Sequence, residues 1–246
     1  MITSAAMADW CRILLDGDGE KPHLTLEHYM DAIPRLDCLG RLPPGTPVLI
    51  RGDVDAKPGP AVGEGDIRLR SMKTTLDFGR QHGWKQIIFG HIGRDPEKSL
   101  DKVAARIGEI LGCQVEFVAD WLDPETVTIK AEAIEALARC PAGGVVVLEN
   151  TRKYEIERAL WKAKPEDAVA QAEPLARLAN QFAEKVANVY VHEAFSAGSL
   201  DASSVVVPAA MDMVALGKYE AEQFEDHLKE CLSAQMVVFS GLKIDK

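Results

Sequence analysis

The sequence predicts an α/β protein with a doubly wound parallel sheet and helices on both faces, a Rossmann-like arrangement of three layers. Short apolar runs rich in β-branched residues recur along the chain, and segments with helical periodicity separate them. The apolar runs are continuous, as in parallel strands that are buried on both faces. In such folds ligands bind at the carboxyl ends of the strands, so we expect functional residues where the apolar runs end.

Six runs are predicted to be strands because they are short, apolar and bounded by polar or turn residues. They are PVLIRGD (47–53), QIIFGHI (86–92), QVEFVAD (114–120), GVVVLEN (144–150), VYVHEA (189–194) and MVVFSG (236–241). Five residues follow the last run, too few for a further strand–helix–strand unit. This run is therefore predicted to be either an edge strand or the start of a second domain.

Helices are predicted between and after these strands. They cover residues 67–83, 99–112, 166–187 and 216–234. The second has the clearest limits, because Ser99 is a suitable N-cap residue and Gly112 is suitable just after the C-terminus. The last is amphipathic, with a strongly acidic face.

Residues 1–40 do not follow the strand–helix alternation and are interpreted as an N-terminal extension. A segment rich in proline and glycine, LDCLGRLPPGTP, leads from it into the first strand. Residues 41–215 carry the predicted α/β domain, residues 216–234 the acidic helix, and residues 235–246 the last strand.

Composition restricts the possible partners. The formal net charge of −10 excludes an extended basic surface for nucleic acid or anionic membranes, so any anion site must be local. Five scattered cysteines without a CxxC pair are typical of reduced thiols. There is no leader-like N-terminus and no window near the roughly 20 apolar residues of a membrane span. We expect a soluble, cytoplasmic monomer that binds neither nucleic acid nor membrane.

Charged or polar residues follow the predicted strands at their carboxyl ends. They are Arg51, Asp53 and Asp55 after the first strand, His91 and Arg94 after the second, Glu149, Asn150 and Arg152 after the fourth, and His192 and Glu193 after the fifth. The guanidinium groups of Arg94 and Arg152, together with Arg68 from the first helix, suit bidentate binding of carboxylate or phosphate. The sequence therefore predicts an anion-binding site on this rim.

Each of these residues also has a plainer interpretation. An arginine after a strand more often forms a structural ion pair, and a lone histidine is more often an ordinary core or loop residue. Asp53 and Asp55 face the same side of an extended chain, but no local histidine or third carboxylate completes a ligand set, so no metal site is predicted. GRDPEKS lacks the glycine that a P-loop requires before its lysine, and GHIGR has arginine where an HxGH motif has its second histidine.

In order along the chain, RGDVDAKP, GDIRLRSMKTTLDFG, IIFGHIGRD, SLDKVAARIGEILG, VVVLENTRKY, VYVHEAF, ASSVVVP and SGLKIDK resemble the sequence blocks of phosphoglycerate kinases. The resemblance covers about residues 40–246 and includes the spacing between blocks. It implies a glycerate-binding domain at 41–215, an interdomain helix at 216–234 and the start of a nucleotide-binding domain at 235–246. The implied reaction is phosphoryl transfer between 1,3-bisphosphoglycerate and ADP, giving 3-phosphoglycerate and ATP, with Mg²⁺, in glycolysis.

The resemblance also implies roles for single residues. Substrate-binding positions of the family match Asp53, Asp55, Arg68, His91, Arg94 and Arg152. Arg68 is expected to stabilise charge on the transferring phosphoryl group, which makes it the predicted catalytic residue. Lys243 matches a lysine that meets the nucleotide phosphates in the family.

Three departures from the family pattern leave the function open. Asp55 stands where the family has asparagine, and SAGSLDAS lacks a histidine and an arginine that the family carries there. The family also has a second domain of comparable size, of which this sequence carries the first strand. We expect either a divergent and incomplete phosphoglycerate kinase whose 246 residues alone are inactive, or a non-catalytic module that binds similar anions. A domain whose rim arginines are purely structural is the third interpretation.

Overall fold

A parallel sheet of six strands organises the described part of the chain, residues 1–16 and 25–236 of the computed structural model. The strands of the sheet are β1 (Pro47–Gly52), β2 (Lys85–Phe89), β3 (Val115–Val118), β6 (Val145–Leu148), β7 (Val189–Glu193) and β8 (Met213–Leu216). Their spatial order is β3-β6-β2-β1-β7-β8, and every neighbouring pair is parallel. A separate antiparallel ribbon pairs β4 (Leu122–Asp123) with β5 (Thr128–Ile129).

Helices connect and flank the strands. They are α1 (Ser4–Leu15), α2 (Leu26–Ala32), α3 (Ile67–Ser71), α4 (Lys73–Gln81), α5 (Asp101–Leu111), α6 (Ala131–Arg139), α7 (Ala168–Lys185), α8 (Ala202–Val205) and α9 (Lys218–Ser233). Short 3₁₀ turns occur at Leu36–Leu39, Thr151–Lys153, Glu155–Arg158, Pro165–Asp167 and Val207–Ala210.

The sheet is covered on both faces, which confirms the predicted fold class. Side chains along β1 alternate between two apolar clusters, with Leu49 in one and Val48 and Ile50 in the other. β2 does the same, since Ile87 packs in the first cluster and Ile88 in the second. Burial on both faces explains why these strands read as continuous apolar runs.

Several element predictions need correction. β3 is only partly buried because it is an edge strand, whereas the sequence predicted full burial. β8 was not predicted, and its first two residues are exposed at the opposite edge. The helix predicted over 67–83 is interrupted at Met72, where the Ser71 hydroxyl donates to the Arg68 carbonyl and competes with the helical ladder. The strand predicted at 236–241 lies almost entirely outside the described residues.

The helix predicted over 99–112 begins slightly later than expected. Its N-cap position is Leu100, although the Ser99 hydroxyl still accepts a hydrogen bond from the Asp101 amide at 3.2 Å. Gly112 has a positive φ of 61°, so the prediction for the C-terminal end is confirmed.

The N-terminal helix α1 packs on the sheet domain. Met7, Ala8 and Cys11 are buried in the same apolar cluster as α7. Asn180 of α7 exchanges two hydrogen bonds with the backbone of Ile2, at 2.8 and 2.9 Å. The division between residues 1–40 and 41–215 remains a prediction.

Two general properties bear on the expected environment. None of the helices in residues 1–16 and 25–236 is long and apolar enough to cross a membrane. All five cysteines lie within these residues, and none forms a disulfide there.

Candidate functional site

The carboxyl ends of β6, β2, β1 and β7 lie side by side, because these strands are neighbours in the sheet. The loops that follow them therefore meet at one edge. This strand-end rim brings together the predicted residues Arg51, Asp53, Asp55, Arg68, His91 and Arg152. The last predicted site residue, Lys243, lies outside the described residues.

Arg68 is held between the two aspartates that follow β1. Its Nη1 atom lies 3.6 Å from Asp53 Oδ1 and 3.6 Å from Asp55 Oδ2, and 42% of its side chain is exposed. The Ser196 hydroxyl donates to Asp53 Oδ1 at 3.0 Å. Burial raises the pKa of Asp53, while the hydrogen bond from Ser196 and the charge of Arg68 act in the opposite direction. The guanidinium thus relieves the repulsion between the two carboxylates and still faces solvent.

The position of Arg68 depends on how helix α3 begins. Asp66 precedes the helix, is fully buried, and accepts hydrogen bonds from the Gly63 amide at 2.8 Å and Arg70 Nε at 2.9 Å. Arg106 Nη1 donates to the same carboxylate at 2.6 Å. These contacts tie the loop before α3 to helix α5, and Arg68 lies two residues further on.

The loop after β2 is pinned from both sides at Gly93. The Gly93 amide donates to Asp55 Oδ1 at 3.0 Å, and the Gly93 carbonyl accepts from Arg152 Nη1 at 2.5 Å. Gly93 has a φ of +62°, and a Cβ atom there would lie 2.9 Å from the Lys98 ammonium. Glycine is required here because a side chain would strain the backbone and displace Lys98. Lys98 is a rim cation that the sequence did not predict.

Arg94 differs from the other rim arginines. It follows Gly93, is exposed, and makes no hydrogen bond or ion pair with the residues that the structure describes. A cation in this state can bind an anion without first breaking an internal pair.

A buried cluster lies behind the loop at Gly93. Arg51 Nη2 donates to His91 Nδ1 at 2.8 Å, and its Nε donates to the Ser203 hydroxyl at 3.0 Å. Both oxygens of Asp201 lie 3.2 Å from Arg152 Nη2, and one of them lies 3.5 Å from His91 Nδ1. Asp201, a residue that no sequence pattern indicated, therefore contacts two of the predicted anion binders.

His91 is a neutral hydrogen-bonding group in this cluster. Burial, followed by the positive charges of Arg51, Arg152 and Arg68, lowers the pKa of His91 to about 2. The hydrogen bond from Arg51 requires an unprotonated Nδ1, so we assign the proton of the ring to Nε2. His91 can thus donate one hydrogen bond to a ligand but carries no positive charge.

Glu157 completes the buried cluster from the loop after β6. It accepts hydrogen bonds from the hydroxyls of Thr151 at 2.9 Å and Ser203 at 2.5 Å, and from the Ser203 amide at 2.9 Å. Burial and the nearby Asp201 raise the pKa of Glu157.

One potential ligand atom each of His91, Glu157 and Asp201 lies within 4.8 Å of the others, a spacing that would allow a metal ion. The surroundings do not suit one. Arg51 already uses the Nδ1 lone pair of His91, and Arg152 contacts both oxygens of Asp201. Arg51 and Arg152 thus already engage the atoms of His91 and Asp201 that a metal ion would need.

Glu149 and Asn150 hold the loops in place. Glu149 Oε1 accepts from the amides of Leu100 and Asn150, both at 2.8 Å. The Asn150 side chain accepts from the Ile92 amide at 3.3 Å and donates to the Lys98 carbonyl at 2.9 Å. The two residues therefore join the loops after β2 and β6, and Lys98 is positioned through this link.

His192 and Glu193 connect the end of β7 to the start of helix α9. His192 Nδ1 lies 2.6 Å from Glu220 Oε2, which also accepts from the Ala194 amide at 2.9 Å. Glu193 accepts from the Thr75 hydroxyl and the Tyr219 amide, both at 3.1 Å. These contacts orient the acidic helix relative to the rim.

The buried carboxylate of Glu193 gives a testable pH dependence. Burial, with a contribution from Glu220, raises the pKa of Glu193 from 4.5 to about 8. The folded state then holds a proton that the unfolded state releases, so this group lowers stability as the pH rises from about 4.5 to about 8. Glu193→Gln keeps the donors and acceptors of the protonated acid and removes the titration. We expect the variant to lose about 3 kcal/mol less stability than the wild type between pH 5 and pH 8, measured by urea unfolding. Equal pH slopes would contradict the assignment.

Comparison with known proteins covers most of the chain. The family model for phosphoglycerate kinase matches residues 43–246. "Phosphoglycerate kinase" from Akkermansia muciniphila is 31% identical over 209 residues, which are 81% of this chain and 46% of that protein. "Phosphoglycerate kinase, cytosolic" from Nicotiana tabacum is 34% identical over 134 residues, 53% of this chain and 28% of that protein.

A solved structure shows the same fold. The crystal structure of phosphoglycerate kinase from Pyrococcus horikoshii superposes with a TM-score of 0.63 at 21% identity, covering 83% of this chain and 47% of that chain. In each of these comparisons the chain spans less than half the length of the protein it matches.

Proposed function

Since the chain belongs to the phosphoglycerate kinase family, we propose that its strand-end rim binds 3-phosphoglycerate and 1,3-bisphosphoglycerate as the glycerate site of such a kinase. The reaction proposed for the whole protein is phosphoryl transfer between 1,3-bisphosphoglycerate and ADP, giving 3-phosphoglycerate and ATP in glycolysis. The observation that carries the proposal is the pair of available cations at the carboxyl ends of the central strands, the half-exposed Arg68 and the exposed Arg94, which has no ion pair with the described residues.

The proposed roles follow from the contacts of each residue. Arg94 is free to bind an anionic group of the acid, and the Nε2 proton of His91 supplies a hydrogen bond. Arg68 is partly exposed and held by carboxylates at 3.6 Å, so its guanidinium can turn toward negative charge that develops on a transferring phosphoryl group. Asp53 and Asp55 orient Arg68, and Arg152 holds the loop at Gly93.

The nucleotide and Mg²⁺ would neutralise the phosphates during transfer. Lys243 is the one residue of this sequence proposed to meet the nucleotide, and no step is assigned to it. We propose the domain limits 1–40, 41–215, 216–234 and 235–246 for extension, glycerate domain, interdomain helix and start of the nucleotide domain. A cytoplasmic monomer that acts on these small molecules, without nucleic acid or membrane, completes the proposal.

Calorimetric titration with 3-phosphoglycerate tests the binding half of the proposal. Binding that is competed by other phosphorylated acids only at higher concentration would support it. Absence of heat and of competition would overturn it.

Asp55→Asn provides a sharper test of the site. The change removes a negative charge 3.6 Å from Arg68, while the amide oxygen can still accept from the Gly93 amide. We expect about three- to tenfold tighter binding of 3-phosphoglycerate, because Arg68 is then less neutralised. Asp212→Asn is the matched control, since this exposed aspartate lies at the amino end of β8, far from the rim. Unchanged or weaker binding in Asp55→Asn would show that the ligand does not reach Arg68.

A non-catalytic anion-binding module is the second candidate. It is favoured by the pairing of Arg152 with Asp201, which leaves fewer cations for a substrate. The gene product that contains this chain would then bind 3-phosphoglycerate without forming ATP from 1,3-bisphosphoglycerate and ADP in a coupled assay. Turnover in that assay would exclude the second candidate.

A further inference from the structure

Asp201 places a negative charge inside the strand-end rim. Its side chain is fully buried in the loop after β7, and its carboxylate contacts side chains from the ends of three other strands or their loops. The contacts are Arg152 Nη2 at 3.2 Å from both oxygens, His91 Nδ1 at 3.5 Å and Arg51 Nη2 at 4.0 Å. The two arginines near this carboxylate are the kind of donors that a bound anion would need, whereas His91 Nδ1 already accepts from Arg51.

The ion pair with Asp201 makes Arg152 unavailable to a ligand. Its Nη2 faces Asp201, its Nη1 donates to the Gly93 carbonyl, and its guanidinium lies 4.6 Å from the ring centre of Trp161. The Nε atom is buried without a hydrogen-bond partner in the described residues. Asp201 therefore pairs with Arg152, while the Nε donor of Arg152 has no hydrogen-bond partner among the described residues.

Arg51 is also unavailable to a ligand, because its donors already have partners. Its donors go to Ser203, the Gly52 carbonyl and His91, and only 1% of its side chain is exposed. His91 is neutral because of its burial and its arginine neighbours. The inner group of the rim, defined as Arg51, His91, Arg152 and Asp201, thus offers little positive charge to an incoming anion.

The outer group of the rim is different. Arg68 is 42% exposed, Arg94 is exposed and unpaired within the described residues, and the Lys98 ammonium lies over Gly93. The loop at Gly93 separates the two groups, since Gly93 contacts Arg152 on one side and Asp55 on the other.

We propose that Asp201 is a specificity-determining residue that fills the inner anion position, so that a ligand is held at one anionic end, by the outer cations Arg68 and Arg94. 3-Phosphoglycerate, which is anionic at both ends, therefore binds weakly, because Asp201 neutralises the inner arginines that its second group would need. The inference concerns the substrate class of the proposed glycerate site and rests on that proposal.

Asp201→Asn tests the inference, because asparagine keeps the size of the side chain and an acceptor for Arg152 while it removes the charge. Calorimetric titration would use 3-phosphoglycerate, glycerate and inorganic phosphate as probes. We expect about tenfold or greater tightening for 3-phosphoglycerate and less than about threefold change for glycerate, which has a single anionic group. Asp212→Asn, the control at the other end of the sheet, should change neither affinity.

The outcomes separate the inference from the proposed function. If the wild type binds 3-phosphoglycerate and Asp201→Asn binds it no more tightly, the inference is wrong while the glycerate site stands. If neither protein binds 3-phosphoglycerate but the variant alone binds inorganic phosphate, Asp201 fills an anion position and the proposed substrate is wrong. If neither protein binds any of the three probes, both are wrong.

A second variant keeps the inference testable should Asp201→Asn fail to fold, as judged by circular dichroism. Arg94→Gln changes an exposed side chain that has no partner within residues 1–16 and 25–236, so folding is expected to be unaffected. Because Asp201 fills the inner group, the binding of inorganic phosphate depends on the outer cations. We therefore expect this variant to bind inorganic phosphate at least about tenfold more weakly. Unchanged phosphate affinity would place the anion at the inner group and overturn the inference.

Discussion

Replacing Arg68 by alanine is expected to lower the turnover number about a hundredfold or more in the gene product that contains this chain, with a much smaller change in KM. The guanidinium is partly exposed and held by Asp53 and Asp55 at 3.6 Å, a geometry that is loose enough to change when negative charge develops nearby. A contact that strengthens only in the transition state affects kcat, whereas one made equally with the bound substrate affects KM.

Two variants control this result. Arg94→Ala removes an exposed cation proposed to bind the ground state, so its main effect should be a higher KM. Arg68→Lys keeps the charge and loses the planar pair of donors, and we expect an intermediate turnover number. The assay would follow ATP formation from 1,3-bisphosphoglycerate and ADP. Near-normal turnover in Arg68→Ala, together with lost turnover in Arg94→Ala, would transfer the catalytic role to another rim cation.

The sheet was predictable from the sequence because strands that are buried on both faces consist almost entirely of apolar residues. β1, β2 and β6 read as continuous apolar runs since neighbouring residues such as Ile87 and Ile88 pack in opposite clusters. The edge strand β8 has only one strand neighbour in the described sheet, and Met213 and Val214 are exposed, so its sequence carries no comparable signal. The more exposed edge strand β8 was therefore missed, whereas the partly buried edge strand β3 was still predicted.

The candidate site was predictable in part for a related reason. Residues after parallel strands meet at one edge, which made Asp53, His91 and Arg152 neighbours before any distance was known. The partners of those residues were not predictable. Asp201 reaches Arg152 from a loop with no regular pattern, and whether the arginine faces a ligand or an internal carboxylate depends on packing between distant segments.

The junction between β7 and helix α9 depends on the absence of a side chain at Gly217. A Cβ atom at this position would lie 1.3 Å from Glu193 Oε2 and 2.4 Å from its Cδ atom. Glu193 cannot simply turn away, because it is buried and held by the Thr75 hydroxyl and the Tyr219 amide. The backbone of Gly217 has a φ of −67°, so the need for glycine is steric and does not arise from backbone strain.

Gly217→Ala is therefore expected to destabilise the protein by about 3 kcal/mol, through overpacking and the loss of the hydrogen bonds that Glu193 makes. Chemical unfolding would measure the loss, and hydrogen exchange should show faster exchange in the first turn of α9. Gly198→Ala is the matched control, since a Cβ atom there has no neighbour within 4 Å and the change should be nearly neutral. The double variant Gly217→Ala with Glu193→Ala removes the obstructing carboxylate, so its destabilisation should be smaller than the sum of the two single changes. Additive losses would mean that helix α9 does not rest on Glu193, and that the rim and the acidic helix are coupled through other contacts.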